Sequence, residues 1–239
     1  MPEETETVVI EYKFSLNNGA EKQFTVRLRK PTLQLISSPS APLPEWTRLV
    51  HHQCPNCPLK PENHPHCPIA ANLVDVIDSF KNSVSVEEAD VTITDEARVY
   101  RKRTAVQYGI SSLMGIYMVT SGCPVMDKLR PMVHTHVPFA TIAETMFRAV
   151  SMYLLAQYFR QQHGKTADWR LEKLLQIYEE IGKVNRAFAK RLLSINPQDA
   201  SLNALVSLDC FATITAFSIM DDSLETMESL FRAYLDDGD

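Results

Sequence analysis

Val8-Val9-Ile10-Glu11-Tyr12-Lys13-Phe14 and Gln23-Phe24-Thr25-Val26-Arg27-Leu28-Arg29 alternate apolar with polar residues, and Asn17-Asn18-Gly19 lies between them. Alternation puts every second side chain on one face, the signature of a strand with one side buried. Asn and Gly tolerate positive φ, so the segment between the runs reads as the turn of a hairpin. A third short run, Leu33 to Ile36, adds an edge strand. The breaker-rich stretch Ser37-Ser38-Pro39-Ser40-Ala41-Pro42-Leu43-Pro44 ends this sheet segment.

Moving outward, strand-like spacing returns at 84–107, where Val84, Val86, Val91, Ile93, Val99 and Val106 fall mostly at even intervals. From Tyr108 onward the pattern becomes helical. Phe139, Ile142, Met146, Val150, Tyr153, Leu154 and Tyr158 share one face of a helix over 139–162, which His163-Gly164 closes. Leu171, Leu174, Tyr178, Ile181, Val184 and Phe188 repeat the period over 169–193. Asn196-Pro197 reads as an N-cap followed by a first-turn proline. The helix after it, to Met220, is apolar nearly all round and is expected to be the most buried. Ser223 to Leu235 reads as a closing amphipathic helix. The expected fold is α+β: a small antiparallel sheet from 8–36 and 84–107, then a helical bundle. The expected division is a β-rich segment over 1–107 and a bundle over 108–239, the two either separate or continuous.

Between the two sheet segments lies a loop unlike the rest, His51-His52-Gln53-Cys54-Pro55-Asn56-Cys57-Pro58-Leu59-Lys60-Pro61-Glu62-Asn63-His64-Pro65-His66-Cys67-Pro68. Its five prolines exclude helix and sheet interior. Such a loop needs something to order it. A helix follows from Pro68 to about Phe80, with Ile69, Leu73, Val76 and Ile77 on one face. Cys54 and Cys57 have the C-x-x-C spacing that lets two thiolates of one tight loop bind one metal. Cys67 follows, and Cys123 stands far off in Ser121-Gly122-Cys123-Pro124. All four precede proline, while Cys210 does not. With Pro at about 5% of residues, that coincidence has a chance of roughly 10⁻⁵ to 10⁻⁴, which favours a common role. Pro68 and Pro124 suit first helical positions, so Cys67 and Cys123 would be N-caps. Free amides and the helix dipole would there favour the thiolate.

These residues point to a metal site of Cys54, Cys57, Cys67 and Cys123, filled by zinc or an iron–sulfur cluster. Neither template decides between the two. Pro58 stands where a zinc knuckle has Gly, and Lys60 where a ferredoxin run has its third Cys. His64 or His66 is a substitute ligand. His134 and His136, in Pro131-Met132-Val133-His134-Thr135-His136-Val137-Pro138, would share a face if extended and form a second metal site or proton relay; the plainer reading is two hydrogen-bonded loop histidines. Cys210 reads as a packing residue. Asp209, in an apolar helix, is either a buried carboxylate with a partner or one of a solvent stripe with Asn203.

Composition narrows the function classes. Lys plus Arg is 24 against 29 Asp plus Glu, a net charge of −5, with no long basic run. Nucleic acid is therefore not an expected partner, and Arg98 to Arg103 reads as the solvated face of a strand. Tyr108 to Val125, the most apolar stretch, falls short of the ~20 strongly apolar residues of a span, so no membrane partner is expected. The acidic start, Met1 to Glu6, lacks the apolar run of a secretory leader. A cytoplasmic setting follows, where clustered cysteines indicate metal or redox chemistry rather than disulfides. A protein partner or a homo-oligomer is compatible with all of this. No nucleotide loop or hydrolase motif occurs, and seven glycines leave little for a phosphate cradle.

The segments Cys-Pro-Asn-Cys-Pro, His-Cys-Pro-Ile-Ala and Gly-Cys-Pro-Val-Met-Asp, from Cys54 to Gly164, resemble an uncharacterised bacterial protein family, a domain of unknown function. The resemblance implies a bacterial cytosolic protein and supplies no activity. Three expectations stay open: a metal-binding protein with a structural or sensing site, an oxidoreductase or other metalloenzyme using that site, and a metal-free thiol switch.

Overall fold

The computed structural model describes residues 6–37, 42–195, 198–220 and 224–236. The opening hairpin forms as the alternation requires. Strand β1 (Thr7–Leu16) pairs antiparallel with β2 (Glu21–Arg29), Tyr12 standing opposite Phe24. Gly19, at φ 81°, makes the turn. The edge strand β3 (Gln34–Leu35) is two residues long. Strands β4 (Glu88–Thr94) and β5 (Val99–Ala105) return to the far side of β1, giving the antiparallel order β3-β2-β1-β4-β5. The chain is α+β, a five-stranded antiparallel sheet followed by helices.

One sheet face is buried: Ile10, Tyr12 and Phe14 from β1, Val26 and Leu28 from β2, Val91 and Ile93 from β4. Helix α1 (Pro68–Phe80) lies against it and sets Phe80 edge-on to Phe14, with ring centroids 5.0 Å apart. Helix α2 (Val106–Thr120) begins where β5 ends and comes closer still. A Cβ on Gly109 would sit 2.5 Å from Phe14 Cε1 and 3.1 Å from Val91 Cγ2. Glycine is the only residue that fits this approach. Gly109→Val is therefore expected to cost about 1–3 kcal/mol by overpacking, read from urea unfolding. An unchanged midpoint would show that helix and sheet are not in such close contact.

Helix α3 (Ile142–Gln162) starts at a capping box: Thr141 Oγ1 accepts from the Glu144 amide at 3.2 Å and Glu144 Oε2 accepts from the Thr141 amide at 2.7 Å. Helix α4 (Glu172–Leu193) has a buried stripe of Leu174, Tyr178, Ile181, Asn185, Phe188 and Leu192. Helix α5 (Asp199–Met220) packs on α2 and α4. Short helices α6 (Glu225–Glu228) and α7 (Arg232–Leu235) follow it. One connected apolar core takes in residues from Ile10 in the sheet to Ala212 in α5.

Several expectations are corrected. Val84 and Val86 are exposed and precede β4 rather than belonging to it. Ile142 and Tyr158 are exposed, so α3 buries a narrower stripe than its pattern suggests. Helix α5 buries Ala200, Ala204 and Leu205 but leaves Val206, Cys210 and Ile214 at the surface. Its apolar composition is not matched by burial, because α2 and α4 cover only part of its circumference. The last stretch is two one-turn helices joined by a 3₁₀ turn, with Leu230, Tyr234 and Leu235 exposed, in place of a single helix. Asn196-Pro197 lies outside the described residues. Arg101, Lys102 and Arg103 are solvent-facing on β5, as their pattern predicts.

Candidate functional site

The proline-rich loop is more ordered than its composition suggests. Thr47, Arg48 and Leu49 run beside Pro65, His66 and Cys67: the Leu49 amide donates to the Pro65 carbonyl at 2.9 Å and the Cys67 amide to the Thr47 carbonyl at 2.8 Å. Thr47 is fully buried, its hydroxyl 2.7 Å from His66 Nδ1 and donating to the Pro44 carbonyl at 2.6 Å. A tight turn, in which the Cys57 amide donates to the Cys54 carbonyl at 3.0 Å, brings the C-x-x-C pair together. Asn56 between them donates to the Glu180 carbonyl at 2.9 Å, fastening the turn to α4.

The main anchor is Arg191, near the end of α4. It is 1% exposed. Its Nη1 donates to the carbonyls of Trp46 at 2.5 Å and Arg48 at 2.7 Å, and Nη2 to that of Leu49 at 3.4 Å. Burial pulls its pKa down, and the nearby Cys67, Cys54 and Cys57 sulfurs act in the other direction. Among the described residues no carboxylate forms an ion pair with it. A charged guanidinium is thus held inside by three neutral carbonyls beside the thiols. The sequence shows Lys190-Arg191 only as basic residues in a last helical turn, a common complement to the helix dipole, so nothing there singles out Arg191.

Cys67 caps α1, with Pro68 opening the helix. Cys123 follows Gly122, whose φ is 91°, after the end of α2. Its sulfur receives the amides of Val125 and Met126, which favour the thiolate, but burial outweighs them and raises its pKa. Pro124 opens a turn into a 3₁₀ segment, Met126–Thr135, and not an α-helix, so the dipole expected there is short. Burial pushes the Cys54 thiol up to about 12, and the Cys67, Cys123 and Cys57 sulfurs push in the same direction. Four cysteines from three separated segments therefore share one electrostatic neighbourhood. They are not drawn around a common point: among the described residues, no group of three or more His, Cys, Asp or Glu is placed to hold a metal ion. All five cysteines are free thiols, and Cys210 is exposed, which removes its packing role.

The histidines separate. His64 is exposed, and His66 is engaged with Thr47. His134 and His136 do not share a face, because the segment is a 3₁₀ helix rather than extended. His134 faces solvent. His136, at the C-terminal end of the segment, turns inward. Its Nε2 is 2.7 Å from the Tyr12 hydroxyl, which in turn is 3.0 Å from Ser112 Oγ. Burial lowers the His136 pKa to about 4, with Arg148 adding to the shift. Asp209 is half-buried and accepts from Asn185 Nδ2 at 3.3 Å, a partner rather than a solvent stripe.

Over residues 10–232 the sequence matches the family described as Domain of unknown function (DUF6901). The chain belongs to this family. No curated protein and no solved structure matches it. The DUF6901 match runs from β1 to the start of α7, and so includes the sheet, the proline-rich loop and Arg191. No helix among the described residues is long and apolar enough to cross a membrane.

Proposed function

We propose that this chain is a metal-binding protein in which Cys54, Cys57, Cys67 and Cys123 take up zinc or an iron–sulfur cluster, in a structural or sensing role. The supporting observation is a group of four neighbouring thiols, three of them, Cys54, Cys57 and Cys67, beside Arg191, a buried cation without a carboxylate among the described residues. A buried charge needs an opposite charge or a dense set of hydrogen bonds. Four thiolates around one divalent ion, or around a cluster, leave a net negative charge, which would complement the guanidinium. Taking up metal requires the side chains to turn toward a common centre and to give up their protons, so uptake depends on pH. The raised pKa of Cys54 works against the metal-free thiol switch, which needs a reactive thiolate near neutral pH.

Anaerobic purification followed by metal and sulfide analysis tests the reading. The expected result is one zinc per chain and no colour, or a brown protein with iron and sulfide. Cys57→Ser is expected to lose the metal, melt roughly 5–10 °C lower, as about 2–3 kcal/mol does in a domain of this size, and expose the 51–68 loop to protease. Most of its helical signal should remain, and Cys210→Ser should keep the metal. A parent protein free of zinc and iron, or a Cys57→Ser variant that melts and digests like the parent, overturns the proposal.

A further inference from the structure

A second site has no cysteine in its wall among the described residues. A cavity of about 560 Å³ opens between β5, α2, the 3₁₀ segment, the start of α3, α4 and α5. That volume falls in the range of pockets that enclose small organic ligands. Its wall is mainly apolar, formed by residues such as Met118, Met132, Phe139, Leu208 and Phe211. The charged side chains on the wall are Lys102 and Arg148, and no Asp or Glu lines it among the described residues. This bias toward cations occurs in a chain whose net charge is −5.

The polar groups in the wall are incompletely partnered. Arg148 Nη2 donates to the Met132 carbonyl at 2.7 Å, yet its Nε is buried with no partner among the described residues. The nearest acid on its own helix, Glu144, is exposed and committed to the Thr141 capping box. Lys102 lies with its ammonium 5.6 Å from the centre of the Phe139 ring and forms no ion pair among the described residues. Asn185, 2% exposed, has an unpartnered Oδ1 in the same wall. Orphaned buried polar atoms are rare in native proteins and call for an explanation. The Arg148 Nε is closed off, but the rest of the guanidinium lines the cavity, and a cation above an apolar chamber is what an anionic head on an apolar body would complete.

We infer that this cavity binds a carboxylic acid with an apolar chain or ring body, the carboxylate at Arg148 and Lys102 and the body among the methionines and phenylalanines. The planar guanidinium presents donors in a fork that fits a carboxylate. The inference stands independently of the cysteine site, from which it borrows no residue.

Isothermal titration calorimetry of the full chain with sodium decanoate and with decanol at pH 7.5 tests it. The acid is expected to bind at least tenfold more tightly than the alcohol and to raise the melting temperature with concentration. Arg148→Met, checked for folding by circular dichroism, is expected to lose most of the preference for the acid, with Lys102 left as the one cation on the wall among the described residues. Absence of decanoate binding, equal affinity of the parent for acid and alcohol, or a folded Arg148→Met that keeps the preference would each overturn it. Should Arg148→Met not fold, the comparison of acid with alcohol on the parent chain decides alone.

Discussion

Arg191→Leu is expected to destabilise the chain by about 3–5 kcal/mol, one of the largest effects of a single substitution outside the apolar core. Leucine keeps most of the side-chain bulk, so the loss lies in the donors. Hydrogen bonds to a charged group contribute about 1.5–3 kcal/mol each, and a buried acceptor left without a donor costs about 1–3 kcal/mol. Three carbonyls, those of Trp46, Arg48 and Leu49, lose their donors together. Relief from burying the charge offsets part of that sum, which is why the expectation lies below three full bonds. Arg191→Lys should recover only part, because an ammonium lacks the planar fork. Urea unfolding measures the difference; a loss under about 1 kcal/mol would mean that the guanidinium does not hold the loop. The same pair of sites can be coupled. If the thiols form an anionic centre, Arg191→Leu and Cys57→Ser together should depart from additivity, as contacting charges do.

The second large effect is pH-dependent. His136 has a folded pKa of about 4, below the value of about 6.5 for a free imidazole. A lowered pKa means that the folded protein resists the proton which the unfolded chain accepts. Above about pH 6.5 both states are neutral and the residue contributes no pH dependence. As pH falls from about 6.5 to about 4, stability drops by up to roughly 3 kcal/mol, and below that the loss is complete. The groups that act on the imidazole are Arg148, which opposes protonation, and Asp95, which favours it. The Tyr12 hydroxyl is its hydrogen-bond partner. His136→Gln should keep a hydrogen bond to Tyr12 while flattening the stability profile across that window. Denaturation series at pH 7 and pH 4.5 test this; an equal drop in parent and variant would assign the acid sensitivity to other groups.

The hairpin and α1 were legible in the sequence because their causes are local. Alternation over Val8–Phe14 and Gln23–Arg29 sets the strand faces, Gly19 the turn, and Pro68 the start of a helix ending at Phe80. The cysteines stood out by spacing and by their prolines. What escaped was tertiary. Arg191 finds its carbonyls across more than a hundred residues of chain, and His136 finds Tyr12 across a similar separation. The cavity exists only where six elements meet, so no local pattern encodes it. The surface side of α5 was misread because composition reports what a helix could bury, while its neighbours decide how much of it they cover. The 3₁₀ winding of Met126–Thr135 brings His136 inward, and flanking prolines alone suggested an extended path.

The two margins of the sheet differ in a way that bears on how the chain behaves when crowded. On one side β3 covers only Leu28 and Arg29 of β2, so most of β2 from Glu21 borders that margin. On the other, β5 presents a free edge, but Arg101, Lys102 and Arg103 stand exposed along it. A second molecule approaching β5 strand to strand would meet a row of like charges. Growth of ribbons through the sheet is thereby discouraged at β5, and the β2 margin is where crowding would first join two molecules.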